Sequence, residues 1–374
     1  MTDDEALAWA YLSRVVEPPC AELAALVEEF GPVAAADQVK RRAVGDKLLS
    51  RTEARRDLDC AAEDLAALAR MGGRLLVPGT EDWPQLAFTP FVNVDVRKRP
   101  EGHPPLVLWA VGPERLAEVA DRSCALVGTR ASTTYGEHVT ADLATGLAER
   151  DVAVISGGAY GIDGAAHRAT LAADGITVAV LAGGIDVPYP SGHSALLHRI
   201  AKHGMVVTEY PPGVRPARHR FLTRNRIVAA FGGATVVVEA GLRSGAASTA
   251  AWAESLGRPV CAVPGPVTSS ASAGCHALVR NGAVLVTRAE EIVEMVGRIG
   301  ELAVEPSRPR SPLDGLGPNE LRVYDALPAH GARTVDQVAV AAGLPPIQVL
   351  GPLASMELQG LVIRTEGRWK LARR

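Results

Sequence analysis

Apolar positions follow three regimes along the chain. Over residues 1–74 they recur at helical spacing, with Leu7, Tyr11, Leu12, Leu23, Leu26 and Val27 set among charged residues. That period predicts amphipathic helices, and Phe30-Gly31-Pro32-Val33 reads as a turn between two of them. From 75 to 298 the pattern changes to short, β-branched runs at 123–127, 151–155, 176–181, 205–208, 235–239 and 259–263. Helical segments lie between them, such as 135–149 with Val139, Leu143 and Leu147 on one face. Strands that are apolar at every position and alternate with helices belong to a parallel sheet covered on both faces, so the expected class is α/β. A proline- and glycine-rich linker occupies 299–318. Beyond it, 319–374 reads as helices at 319–327, 334–341 and 346–358, then two short strands at 361–364 and 368–371 that turn at Gly367. That succession predicts a winged helix.

At 374 residues the chain exceeds one compact domain, and a 47% hydrophobic fraction can fill more than one core. The net charge of -3 argues against a protein coated in positive charge, while leaving room for a concentrated basic groove. Lys40, Lys47, Lys98, Lys202 and Lys370 are the only lysines, so the cationic chemistry is that of arginine. Cys20, Cys60, Cys124, Cys261 and Cys275 are odd in number and form no C-x-x-C pair, which fits reduced thiols better than a disulfide framework or a zinc ribbon. The start, MTDDEALAWA, is acidic where a signal peptide is basic, and no apolar run reaches the roughly 20 residues of a membrane span. The expectation is a soluble cytoplasmic protein with no membrane partner.

Two features carry the candidate chemistry. The first is Arg215 to Arg226, RPARHRFLTRNR, with five arginines, one histidine, one aromatic ring and no acid. Continued as a helix from Ala217, it sets Arg220 and Arg224 near one face, with Phe221 and Asn225 beside them. Guanidinium groups around a ring suit a phosphate backbone with unstacked bases. The same residues also suit a solvated helix face paired with distant acids, and Phe221 equally suits a core position. The second feature is the set of glycine-rich turns that follow the strands: 128–130, 156–161, 182–184, 241–245 and 264–266. In a parallel sheet these turns line one rim, where the backbone can approach a phosphate beside helix N-termini. Neither G-x-G-x-x-G nor G-x-x-x-x-G-K-[ST] occurs after these strands, which leaves a nucleotide or a nucleic-acid backbone as the ligand.

No catalytic or metal-binding arrangement emerges. Asp163 and His167 stand at i, i+4, a spacing that can serve a metal, but no further ligand pair accompanies them and a helix-surface contact is the expectation. Ser156 lacks the G-x-S-x-G frame. His193, His198 and His203 share no helical face. No cofactor is expected.

Taken together, VGTRASTTYG (127–136), SGGAYGIDGAAH (156–167), Tyr189-Pro190, TEYPPG (208–213), FLTRNRIVAA (221–230), VVEAGLRSGAASTAAWA (237–253), VPGP (263–266) and GCHALVRNGAVLVT (274–287) resemble the DNA-processing protein A (DprA/Smf) family, in that family's order. GTEDWPQL (79–86) and PPLVLWAVG (104–112) extend the likeness upstream. The resemblance implies a Rossmann-like central domain at 75–298, a SAM- or helix-hairpin-helix-like N-terminal domain at 1–74, and single-stranded DNA, the RecA recombinase and a second copy of the chain as partners. It places Arg130, Ser156, Gly157, Gly158, Gly161, Arg218, Phe221, Arg224, Asn225 and Arg226 in a DNA groove, closed by Ser244 and Gly245. Residues 91–103 form a longer insertion than is usual in the family, and His193 and His276 stand where many relatives carry asparagine. The function implied is protection of single-stranded DNA and loading of RecA during DNA processing or natural transformation, without enzymatic activity.

Two rivals remain. A Rossmann-like nucleotide-monophosphate glycosidase or nucleotide sensor of the lysine-decarboxylase-like group would use a glutamate near P-G-G-x-G-T-x-x-E, but Ala240 to Ala253 contains no acid. A transcription regulator would read duplex DNA through the helix at 346–358, which has Gln348 but no lysine or arginine. That composition favours a protein-interaction or autoregulatory role for the winged helix.

Overall fold

The computed structural model describes residues 1–297, 300 and 313–372, in two compact units. The linker expected at 299–318 falls largely outside the described residues. The first unit is organised by one nine-stranded sheet: β1 (Gly73–Leu76), β2 (Leu108–Val111), β3 (Ser123–Val127), β4 (Ala153–Ser156), β5 (Thr177–Leu181), β6 (Met205–Thr208), β7 (Ala234–Val237), β8 (Val260–Ala262) and β9 (Val284–Leu285). Their spatial order is β1-β2-β6-β5-β4-β3-β7-β8-β9. From β6 to β9 all neighbours are parallel, whereas β1/β2 and β2/β6 are antiparallel. All six strands read from the apolar runs are present. β1, β2 and β9 are not among those runs; β1 and β9 are the two edges of the sheet, and β2 lies between β1 and β6.

Side-chain alternation explains why the central strands carry apolar residues on both faces. Ala125 and Val127 of β3, with Val178 and Val180 of β5, enter a core with Phe88, Phe231 and Trp252. Cys124 and Leu126 face the opposite side with Leu143 and Leu147, while Ala179 and Leu181 meet the N-terminal helices there. With helices on both faces the strands are mostly apolar, and the hydroxyls of Ser123, Ser156, Thr177 and Thr208 at strand ends each donate to a backbone carbonyl.

The N-terminal helices are Asp3–Val15, Ala21–Lys40, Asp46–Thr52 and Ala61–Arg70, and the second breaks at Gly31 (φ 77°), within the expected turn. Leu12 and Leu23 share one apolar cluster with Trp109 of β2 and Val206 of β6. The helical segment therefore forms a layer on the sheet, and β1 begins at Gly73, inside the residues expected to be helical.

The second unit has helices at Pro318–Asp325, Val335–Ala342 and Pro346–Leu358 and a hairpin of β10 (Val362–Thr365) and β11 (Arg368–Leu371). Glu366 (φ 50°) and Gly367 (φ 75°) make the two-residue turn, and Val323, Val349, Leu353, Met356 and Trp369 fill a small core. This is the expected winged helix. Its Pro346–Leu358 helix buries Val349, Leu353 and Met356 and exposes Ile347, Leu350 and Leu358, so an apolar stripe stands where a groove-reading helix carries basic groups. Among the described residues, no single helix is long and apolar enough to cross a membrane.

Candidate nucleic-acid interface

The strand order reverses at β3, whose chain continues to β4 on one side while β7 lies on the other. Loops that follow neighbouring strands diverge there and leave a crevice at the carboxyl ends. A cleft of about 870 Å³ occupies this place. Its walls come from Gly128 to Arg130 after β3, Gly157 and Ala159 after β4, Tyr189 after β5, Gly241 and Arg243 to Gly245 after β7, and the helix Arg218–Phe231.

The cleft joins cationic and aromatic groups. Phe221 is half-buried, with the Tyr189 ring 5.3 Å away between centroids and the Arg130 guanidinium carbon 5.0 Å from its own centroid. Arg130, Arg218 and Arg243 are exposed, and none has a carboxylate within salt-bridge distance among the described residues. Ser244 precedes the Gly245–Ser255 helix without capping it, and its buried Oγ has no partner among the described residues. First-turn N–H groups and a free hydroxyl thus stand at the cleft wall, an arrangement that favours an anion. Asn225 Nδ2 donates to Gly245 O at 3.4 Å, tying the basic helix to this turn.

One wall is fixed from below. Arg224 is buried and donates from Nη1 to Gly157 O at 2.8 Å and to Val180 O. Asp163 Oδ2 accepts from the N–H groups of Gly157 (3.2 Å) and Ala159 (3.4 Å). Burial lowers the Arg224 pKa to about 10 although Asp163 opposes the shift, and burial likewise pushes Asp163 up against the pull of Arg224. A Cβ on Gly157 would lie 2.5 Å from Arg224 Nη1, and one on Gly161 (φ 76°) would lie 2.2 Å from Thr129 O. The two glycines thus let the β4 turn close against Arg224 and the β3 turn.

The site residues expected from the sequence separate into two groups. Arg130, Gly157, Arg218, Phe221, Arg224, Asn225, Ser244 and Gly245 line the cleft. Ser156, Gly158, Gly161 and Arg226 do not. Ser156 is fully buried with Oγ donating to Leu126 O at 2.6 Å, because it ends β4 facing inward. Gly158 is buried and its carbonyl accepts from His193 Nδ1 at 3.0 Å, while Gly161 serves the turn described above. Arg226 is fully buried one helical turn into the core, with Nη2 2.6 Å from Glu209 Oε1. Arg220 is also withdrawn: Glu17 of the N-terminal layer accepts from its Nε (2.6 Å) and Nη2 (2.9 Å). The basic stretch is therefore partly cleft and partly scaffold.

Tyr189 and Arg243 line the cleft without belonging to the expected set. Arg243 carries a signal, as an arginine inside a glycine-bracketed turn after a strand, whereas Tyr189 comes to Phe221 only through the fold. Asp163 and His167, expected on a helix surface, are both buried, and His167 Nδ1 lies 2.7 Å from Thr177 Oγ1. Burial lowers the His167 pKa to about 3, so this ring is neutral. His276 Nε2 donates to Gly265 O at 3.0 Å, so it, like His193, holds a turn.

Known proteins resemble this chain in sequence and fold. Residues 74–297 match the family model described as DNA recombination-mediator protein A, and 306–368 match that of the DprA winged helix domain. A Mycobacterium tuberculosis protein named as a DNA processing protein DprA is 67% identical over all of this chain and 96% of its own length. Protein Smf of Escherichia coli is 37% identical over 67% of this chain and 68% of its own length. The crystal structure of DNA processing protein A from Streptococcus pneumoniae superposes with a TM-score of 0.60 at 26% identity, over 78% of this chain and 97% of its own. Its counterpart from Helicobacter pylori, a structure described for its single-stranded DNA binding mode, gives a TM-score of 0.50 at 26% identity, over 59% and 94%. With all but the first residue of the sheet inside the family match, a winged helix of the same kind, and a relative alike from end to end, the chain belongs to the DNA recombination-mediator protein A (DprA/Smf) family.

Proposed function

We propose that the cleft binds single-stranded DNA, and that the chain is a non-enzymatic cytoplasmic mediator that protects the strand and hands it to a RecA-type recombinase, acting as a homodimer through the sheet-bearing unit. The observation that carries this reading is the set of three exposed, carboxylate-free arginines, Arg130, Arg218 and Arg243, around the half-buried Phe221 ring. Phosphates need unpaired cations, and a ring contributes only when a base is free to leave its neighbours, which a duplex forbids. Asp163, the carboxylate among the cleft-lining residues, and Glu239, just after β7, are already engaged. Asp163 holds the Gly157 turn, and Glu239 accepts from Thr133 N (2.9 Å) and Oγ1 (2.6 Å). A glycosidase would require one of them free to move a proton.

The test is fluorescence anisotropy with labelled oligo-dT and a duplex of equal length across a salt series. Binding should favour the single strand. Arg218→Ala and Arg243→Ala should each flatten the plot of log K against log salt by about 0.7, the slope that one neutralised phosphate supplies on a single strand. Equal affinity for duplex, or unchanged slopes in both variants, refutes the reading. Transfer to the recombinase is checked by following RecA filament growth on strands coated with single-strand-binding protein. Filament growth should be faster with the wild-type chain than with Arg218→Ala.

A further inference from the structure

A second cavity, of about 210 Å³, opens between the N-terminal helical layer and the basic stretch, and its lining includes Arg14, Glu17, Arg55, Tyr210, Arg215 and Arg220. The main cleft includes none of these residues. Charge is concentrated around this space. Glu17 gathers three side chains at one carboxylate: Arg220 by two hydrogen bonds, Arg55 Nη2 at 2.8 Å and His219 Nε2 at 3.2 Å. Arg14 donates to both carboxylate oxygens of Asp64 at 2.7 Å and to Pro212 O at 2.7 Å. Arg215 is exposed and has no carboxylate partner among the described residues. Tyr210 is 2% exposed, and its hydroxyl has no hydrogen-bond partner among the described residues.

Four guanidinium groups thus face one lining carboxylate, with Asp64 behind Arg14 as the second acid, and an unused buried hydroxyl lies at the wall. The cluster already holds a carboxylate in hydrogen-bonding geometry through Glu17, so its surplus charge suits one further oxyanion. Its position says which. Arg218 lines the main cleft while Arg215 and Arg220 line the cavity, and a three-residue step spans at most about 11 Å. A DNA strand leaving the cleft past Arg218 would meet Arg215 next.

We propose that this cavity is a second phosphate subsite, in which the N-terminal helical layer and Arg215 hold the backbone of a single strand that continues out of the cleft. The inference rests on the DNA-binding reading of the cleft and adds a path to it. The N-terminal layer then takes part in binding, and the occluded strand is longer than the cleft alone could cover.

Full-length wild type, Arg215→Ala, Arg55→Ala and Arg218→Ala are compared by anisotropy with dT oligomers of about 6 and about 20 nucleotides, at several salt concentrations. Arg215→Ala should bind the short oligomer like wild type, bind the long one several-fold more weakly, and lose about 0.7 of salt slope on the long one alone. Arg55→Ala should follow the same pattern, and because Arg215 is exposed its removal leaves the fold intact even if loss of Arg55 does not. Arg215→Lys should restore most of the long-strand affinity. If wild type binds both lengths and Arg215→Ala matches it at each, the subsite is overturned while the cleft reading stands. If wild type binds neither length, the cleft reading falls first. A melting temperature raised by dTMP in wild type but not in Arg215→Ala, with oligomer binding unchanged, would give the site to a free nucleotide and overturn the strand path.

Discussion

Arg226→Met separates a scaffold arginine from a DNA-binding one. Arg226 and Glu209 are 0% and 3% exposed in their side chains, and a single contact of 2.6 Å joins them. The pairing is incomplete: Glu209 Oε2 and Arg226 Nε and Nη1 have no hydrogen-bond partner among the described residues. Removing one member of such a pair leaves a buried charge uncompensated and costs about 3–5 kcal/mol, whereas replacing both by apolar residues of similar volume is often nearly neutral. Arg226→Met should therefore lower the urea unfolding free energy by about 3–5 kcal/mol. The Arg226→Met/Glu209→Met double variant should recover most of that loss, a coupling of about 2 kcal/mol or more. The pH dependence has a definite sign. Burial raises the Glu209 pKa even with Arg226 opposing it, and loss of Arg226 raises it further. A carboxyl whose folded pKa lies above its unfolded one favours folding at low pH and loses that advantage as pH rises through the folded value. The Arg226→Met deficit should accordingly be smaller at pH 5 than at pH 8. Oligo-dT affinity of the folded variant should keep the wild-type salt slope. Wild-type stability combined with a reduced salt slope would refute this assignment and return Arg226 to the DNA.

Two further outcomes follow from the same geometry. Burial raises the Glu17 pKa, but hydrogen bonds from Arg220 and Arg55 outweigh it and hold the value at about 2. Discounted for partial exposure, that depression is worth about 1–2 kcal/mol, so Glu17→Gln should be destabilised by this amount at pH 7 in urea unfolding. The difference should fade as pH drops from about 5 toward 2, because a lowered carboxyl pKa stabilises above the unfolded value and fails as the group protonates; a deficit that persists unchanged at pH 3 would show that the ion pairs are not its source. Phe221→Ala should cost about 1–3 kcal/mol of single-strand affinity in anisotropy titrations if the ring stacks a base. It should cost only about 1 kcal/mol of stability, the worth of its contact with Tyr189, and unchanged affinity would make Phe221 a packing residue.

Much of this protein is local and therefore legible in its sequence. The six central strands are short, mostly apolar runs, the winged helix follows from three helical periods and a turn at Gly367, and the glycine turns announce a rim where backbone meets ligand. Each depends on neighbours a few residues away, so a linear pattern carries it. The edge strands β1 and β9, and β2 between β1 and β6, lie outside the expected runs although β2 is itself apolar, because what makes each a strand is pairing with partners distant in the chain. The arginines of 215–226 divide in the same way. A helical phase shows which share a face, but not that Glu17, about two hundred residues upstream, claims Arg220, or that Glu209 draws Arg226 into the core. A guanidinium serves equally well as a phosphate ligand or a buried ion-pair partner, and the choice rests on which carboxylate the fold brings within reach. Composition and spacing thus determined the class, the elements and the sign of the site's charge. Only the packing of the N-terminal layer and the sheet decided which of those charges remain free for a ligand, because a charge is neutralised or left free by contacts that sequence order does not encode.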